Sequence, residues 1–179
     1  MFILKKLMRK LIFTTILSLA LLGISQAQVR VAPFLGYGDG LGLWGLGAYA
    51  EVVANDRVSF STHFTQYFPK SLDNIPRRTV WELNANVNYY VVRGEVGYLY
   101  GLAGANYTNI KIRTRTALTD EVETDGNLGL NVGAGTMVRI NDLLLPFVEA
   151  KYTAGGYSQL GVLIGVKFQL GQDSLEEDY

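Results

Sequence analysis

Six ionisable residues, Arg30, Glu51, Glu82, Glu149, Lys151 and Lys167, interrupt segments that are otherwise apolar, small or neutral. Three are bases and three are acids, so the set can neutralise itself. Gathered in one narrow space it could carry protons or ions. It could equally form a closed salt-bridge network, because an unpaired buried charge is costly, and the balanced signs favour that second reading. Ser61 and His63 lie two residues apart, and Glu82 can approach them from a neighbouring segment. Nucleophile, base and carboxylate are the ingredients of ester hydrolysis. All three share the face that carries the six charges, so polar packing is expected of them instead. Gly40-Leu41-Gly42-Leu43-Trp44-Gly45 spells the glycine pattern of dinucleotide sites but lacks the strand, turn and helix around it. His63 is the only histidine and there is no cysteine, which leaves no set of soft ligands for a transition metal. No catalytic, cofactor-binding or metal-binding residue is therefore assigned.

The elements that carry these residues are strands. In Trp81–Val91 every odd position is apolar or aromatic, and the even positions read Glu82, Asn84, Asn86, Asn88 and Tyr90. A strand sends alternate side chains to opposite faces, so this segment has one greasy and one wet side. Seven further segments alternate in the same way, among them Val29–Tyr37, Trp44–Val52, Val58–Phe68, Val96–Leu102, Leu128–Val138, Pro146–Tyr152 and Leu160–Leu170. The fifth has the weakest contrast: Val96, Tyr98, Tyr100 and Leu102 are read as its apolar face against Gly97, Leu99, Gly101 and Ala103. Short turns are expected at Ala54-Asn55-Asp56, Val92-Arg93-Gly94 and Ile140-Asn141-Asp142. Longer links fall at Phe68–Arg78 and Lys111–Asp125. Pairing neighbours as hairpins sets Ala50 against Phe60, Phe64 against Leu83, Val87 against Tyr100, Leu102 against Ala134, Tyr98 against Val138 and Ala150 against Val162.

Eight antiparallel strands can close with the greasy face inward, as in a soluble ligand-holding barrel, or outward against lipid. Side-chain size decides for the second. Trp44, Trp81, Phe60, Phe64, Tyr89, Tyr98, Tyr152 and Phe168 are placed on the greasy face, while the opposite face is read as mainly Gly, Ser, Asn, Ala and a few charges. Small residues suit an eight-stranded interior, which side chains just fill. The aromatics also sort by height: Trp44, Phe68, Trp81 and Tyr152 near the loop ends, and Tyr89, Tyr98 and Phe168 near the turn ends. Two such girdles mark membrane interfaces.

The start of the chain agrees. Lys5, Lys6, Arg9 and Lys10 precede an apolar run from Leu11 to Ile24, and Ser25-Gln26-Ala27 supplies small residues for cleavage. Residues 1–27 read as a signal peptide, with Met8 as an alternative start. They hold 4 of the 16 basic residues and none of the 16 acidic ones, so the remainder carries 12 against 16, a net −4. That balance argues against nucleic-acid binding. After residue 27 no apolar run reaches the length of a membrane helix.

The chain resembles the small eight-stranded outer-membrane barrels, OmpX-like and OmpA-barrel-like domains of the porin superfamily. The likeness spans residues 28–170 and lies in strand count, loop asymmetry, and strands such as Tyr98–Gly104 and Gly161–Phe168. It implies an all-β, up-and-down transmembrane barrel in the outer membrane of a Gram-negative bacterium. The surroundings would be lipopolysaccharide and phospholipid, and the barrel-assembly machinery would insert it. The implied role is structural or interactive: envelope integrity, adhesion or recognition by exposed loops. A minor pore is the alternative, and a lipid-modifying enzyme that would use Ser61, His63 and Glu82 is a remoter one. Family members often end on a strand-terminal aromatic. Here Phe168-Gln169-Leu170 is followed by an acidic stretch, residues 171–179, expected to be a disordered tail. Lys111, Arg113 and Arg115 alternate, as do Glu121, Glu123 and Asp125. Facing one another across a hairpin they would make a charged ribbon, stabilised by ~0.2–1 kcal/mol per pair. Its exposed edge is the expected contact for an external protein partner, by strand addition.

Overall fold

The alternating segments need partners for their backbone N–H and C=O groups, and each finds one on both sides. A computed structural model of the chain describes residues 28–69, 77–115 and 120–170. The signal peptide and the acidic tail read from the sequence lie outside the described residues. The eight strands are β1 (Val29–Gly38), β2 (Leu43–Val53), β3 (Val58–Tyr67), β4 (Arg77–Arg93), β5 (Gly97–Arg115), β6 (Asp120–Val138), β7 (Leu144–Gly155) and β8 (Gln159–Leu170). Each pairs antiparallel with its neighbours in sequence, and β1 with β8 closes the barrel.

The turns at the end where the described chain begins and stops are tied by local chemistry. Asn55 Oδ1 accepts from the amides of Arg57 and Val58, both at 2.9 Å. Asn141 Oδ1 accepts from Leu143 N at 3.0 Å and Leu144 N at 2.8 Å. Asparagine favours turns for this reason. At the opposite, loop end Gly42 takes φ 60°, a left-handed conformation natural to glycine, as the chain re-enters β2.

Two of the expected pairings stand: Phe64 opposite Leu83, and Ala150 opposite Val162. Ala50 lies opposite Thr62, an even shift from Phe60 that keeps the face. Those around β5 fail. Ala103 lies opposite Val87, Gly101 opposite Ala134, and Gly97 opposite Val138. Odd shifts exchange a strand's faces. Tyr98, Tyr100 and Leu102 therefore point into the barrel, 1–4% exposed, and Leu99 lies outside at 46%. Glycine on the neighbouring strand permits this. Gly135 lies opposite Tyr100, and the tyrosine ring fills the space a side chain there would need.

The other seven strands face as their alternation predicts. Val31, Leu35, Leu46, Phe60, Leu83, Val87, Leu130, Val148 and Ile164 form an exposed apolar band. Phe64, Trp81 and Tyr107 run as a chain of ring contacts near its loop side, with centroids 6.0 and 5.5 Å apart. Near the turn side Tyr89 and Phe168 remain outward and Tyr98 does not.

Candidate functional site

The interior is built in layers, and every one of the six singled-out charges lies in it, each no more than 3% exposed. At the turn end Glu51 is the hub. It accepts from Lys167 Nζ at 2.8 Å, Ser59 Oγ at 2.5 Å and the Tyr90 hydroxyl, and Arg30 Nη1 lies 3.8 Å away. Arg30 also donates to Gln169 Oε1 at 3.1 Å and Tyr90 OH at 2.9 Å. Strand spacing does the positioning: Arg30 and Glu51 are register partners.

Above this sits an aromatic layer. Phe34, Tyr49, Tyr100 and Phe147 are buried, and Lys167 Nζ lies 4.3–5.1 Å from the ring centres of the last three. Tyr100 donates to Glu149 Oε2 at 2.9 Å. A cation over ring faces is attracted by their quadrupoles, so these rings share in holding Lys167.

The next layer is amide-rich. Lys151 Nζ donates to Asn84 Oδ1 at 2.7 Å and lies 3.4 Å from Glu82 Oε2. The Gln159 amide also donates to Glu82. Asn131 Nδ2 donates to Asn84 Oδ1 and Asn86 Oδ1, both at 2.9 Å, and Thr153 Oγ1 donates to Asn131 Oδ1 at 2.9 Å. Over the loop-side mouth Leu43, Tyr67, Val80 and Ile110 pack as an apolar cap. Ionic, aromatic, amide and apolar layers follow one another along the axis, and each blocks the next. Alternation puts Tyr90 and Phe147 on the inward phase, but it does not show that the rings gather into a layer. Their signal is phase: Tyr49 shares a face with Glu51, Tyr90 with Asn88, and Phe147 with Glu149.

Ser61, His63 and Glu82 all point inward as expected, but the structure does not join them. Ser61 Oγ donates to Asn88 Oδ1 at 3.4 Å. Glu82 is held by Lys151 and Gln159. Both His63 nitrogens are buried without a hydrogen-bond partner among the described residues. The ring stacks on Tyr49 at 5.6 Å and meets Phe34 edge-on at 5.7 Å. Buried polar atoms left unpaired cost stability. His63→Phe keeps the ring contacts and removes that cost, so it should raise stability by about 1–2 kcal/mol in urea titrations of the folded barrel. A loss of comparable size would show that the imidazole has a partner. Among the described residues no group of acidic or histidine side chains is arranged to hold a metal.

The second feature stands outside. β3 pairs with β4 only as far as Gln66 opposite Trp81, and β7 with β6 only as far as Gly155 opposite Gly129. The upper parts of β4, β5 and β6 therefore rise past the barrel as a three-stranded sheet. On the edge of β6 away from β5, no described strand pairs over 120–128. The charge ladder read from the sequence is corrected here. Lys111 lies opposite Thr124, Arg113 opposite Val122 and Arg115 opposite Asp120, one residue from the expected register. Glu123 and Asp125 instead oppose Ile112 and Ile110, and with them and Tyr157 they line a small cleft of about 120 Å³. Lys111 and Arg113 take the other face.

A closed antiparallel barrel with an apolar outside, a packed polar inside and one raised sheet can be compared directly with known structures. No protein-family model and no curated protein matches the sequence. Solved structures do. The N-terminal β-barrel domain of Pseudomonas aeruginosa OprF superposes with a TM-score of 0.63 at 16% identity, over 81% of this chain and 98% of that one. Ail, the attachment invasion locus protein of Yersinia pestis, in complex with the heparin analogue sucrose octasulfate, gives 0.60 at 14%, over 81% and 99%. OprG from Pseudomonas aeruginosa gives 0.59 at 12%, over 82% and 97%. The chain has the fold of the small eight-stranded outer-membrane barrels. Within that fold the outer apolar band takes the place of the lipid-facing surface, and the layered interior takes the place of the lumen.

Proposed function

We propose that the protein is an integral outer-membrane barrel of a Gram-negative envelope, exported by a signal at residues 1–27 and inserted by the barrel-assembly machinery. Its barrel is a plugged anchor, and its working surface is the raised β4–β5–β6 sheet. The unpaired β6 edge over 120–128, on top of an interior closed by ion pairs, carries this reading. A free strand edge offers N–H and C=O groups to an added strand. Glu123 and Asp125 on one face and Lys111 and Arg113 on the other add two-sided charge. Ail supports the assignment by analogy, as a barrel of this fold named for attachment and seen with a polyanion.

Deleting residues 112–123 tests it. The shortened barrel should still migrate differently boiled and unboiled, while bacteria carrying it lose attachment to host-cell surfaces. Attachment that survives the deletion would end the surface-interaction reading. Conductance distinguishes the pore alternative. The intact protein should give little liposome swelling and no stepwise current in planar bilayers, because buried charges and rings occupy its axis. Regular current steps from purified protein would make it a conduit.

A further inference from the structure

The turn end carries a cleft of about 540 Å³, lined by Asp56, Arg57, Tyr89, Tyr90, Val91 and Arg93. It lies between the β2–β3 turn and the last residues of β4. An irregularity in the β4–β5 pairing between Tyr90 and Val92 shapes it. A bulge places an extra residue on one strand and re-aims its side chains. Here it leaves two consecutive residues, Val91 and Val92, exposed at 66% and 52%. The result is an apolar floor beside a polar rim. On the rim Arg57 Nη1 donates to the Tyr89 hydroxyl at 3.3 Å, and Arg93 Nη1 donates to Asp56 Oδ1 at 3.1 Å. Two guanidiniums against one carboxylate leave a net positive rim. Each guanidinium has five N–H donors, and these contacts use one nitrogen of each.

On the membrane-barrel reading, on which this inference rests, Tyr89 marks the turn-side interface, at headgroup height. Guanidiniums suit phosphate, which they bind in a planar, two-pronged way. Val91, the apolar residue of the lining, suits the first methylenes of an acyl chain. A soluble anion would use the rim and leave the floor in water. We propose that this cleft holds one phospholipid of the turn-side leaflet, its phosphate on Arg57 and Arg93 and its glycerol-proximal chain over Val91. Anionic phospholipid is favoured over zwitterionic, because the rim carries uncompensated positive charge.

The test uses the whole barrel folded into vesicles of equal parts phosphatidylcholine and phosphatidylglycerol. Gel migration of boiled and unboiled samples first establishes folding. Native mass spectrometry after gentle extraction then counts retained lipid. The wild type should keep one phosphatidylglycerol in preference to phosphatidylcholine. The double variant R57Q/R93Q should fold equally and retain it roughly thirtyfold less, at about 1 kcal/mol per arginine near a lipid surface. Val91→Asp should weaken retention with both arginines in place. A folded wild type that keeps no phosphatidylglycerol, or a double variant that keeps it undiminished, overturns the proposal. So does release of the lipid by glycerol 3-phosphate at millimolar concentration, which would mean a site for soluble anions. A wild type that shows no gel shift and never enters vesicles fails earlier, as a membrane barrel.

Discussion

Replacing Glu51 with glutamine is expected to cost the barrel about 3–5 kcal/mol of folding stability, the range for stripping one partner from a buried ion pair. Glu51 is fully enclosed and is the only acid in contact with both Lys167 and Arg30 among the described ion pairs. Its amide analogue fits the space and can still accept from Ser59 or Tyr90. It leaves two buried cations with no carboxylate in contact among the described residues, Arg30 at 1% and Lys167 at 0% exposure. Lys167→Met should be far milder, about 1.5 kcal/mol or less, because a chain of similar volume stays against Tyr49, Tyr100 and Phe147. Arg30 then remains as the partner of Glu51, at 3.8 Å. The asymmetry is the informative part: one hub and two spokes predict unequal losses from removing either end of the same bond. Urea titrations in lipid vesicles, read by the unboiled gel band, measure both. Equal losses would show that Lys167 and Glu51 form an isolated pair, and no loss from Glu51→Gln would show that the network is open to water.

Most of the architecture was legible because the side-chain period of a strand is two and the barrel uses both phases. Glu82, Asn84, Asn86 and Asn88 could be placed inward from alternation alone, and the structure has all of them at 4% exposure or less. The six lumen charges could be collected before any pairing was known, since each shares a phase with small or polar neighbours. β5 was not legible. Its two phases, Tyr98-Tyr100-Leu102 and Leu99-Gly101-Ala103, are both apolar, so hydrophobicity could not choose between them. Size pointed the wrong way, because bulky rings were assigned to lipid. The information that decides sits on other strands: Gly135 leaves room, and Glu149 needs a donor. The same one-residue error then ran up the hairpin and put Lys111, Arg113 and Arg115 opposite acids that they do not face. Register errors propagate in this way, since a hairpin has no means of correcting its phase along its length.

Gly135→Val tests that inward phase directly. The added side chain would occupy the position of the Tyr100 ring, which is buried at 1% exposure and bonded to Glu149 at 2.9 Å. Overpacking of this kind costs about 1–3 kcal/mol. Displacing the phenol also breaks a hydrogen bond to a charged group, about 1.5–3 kcal/mol more. In a Tyr100→Ala background the ring and its bond are already gone, and the valine enters vacated space. Its added cost there should fall below about 1 kcal/mol, so the double-mutant cycle should show a coupling of at least about 1.5 kcal/mol. Under the register that alternation alone suggests, Gly135 would oppose Gly101 and Tyr100 would lie in lipid. The two substitutions would then be independent and their costs would add. Strong coupling therefore places Tyr100 in the lumen as the donor to Glu149, and additive losses would return it to the outer face.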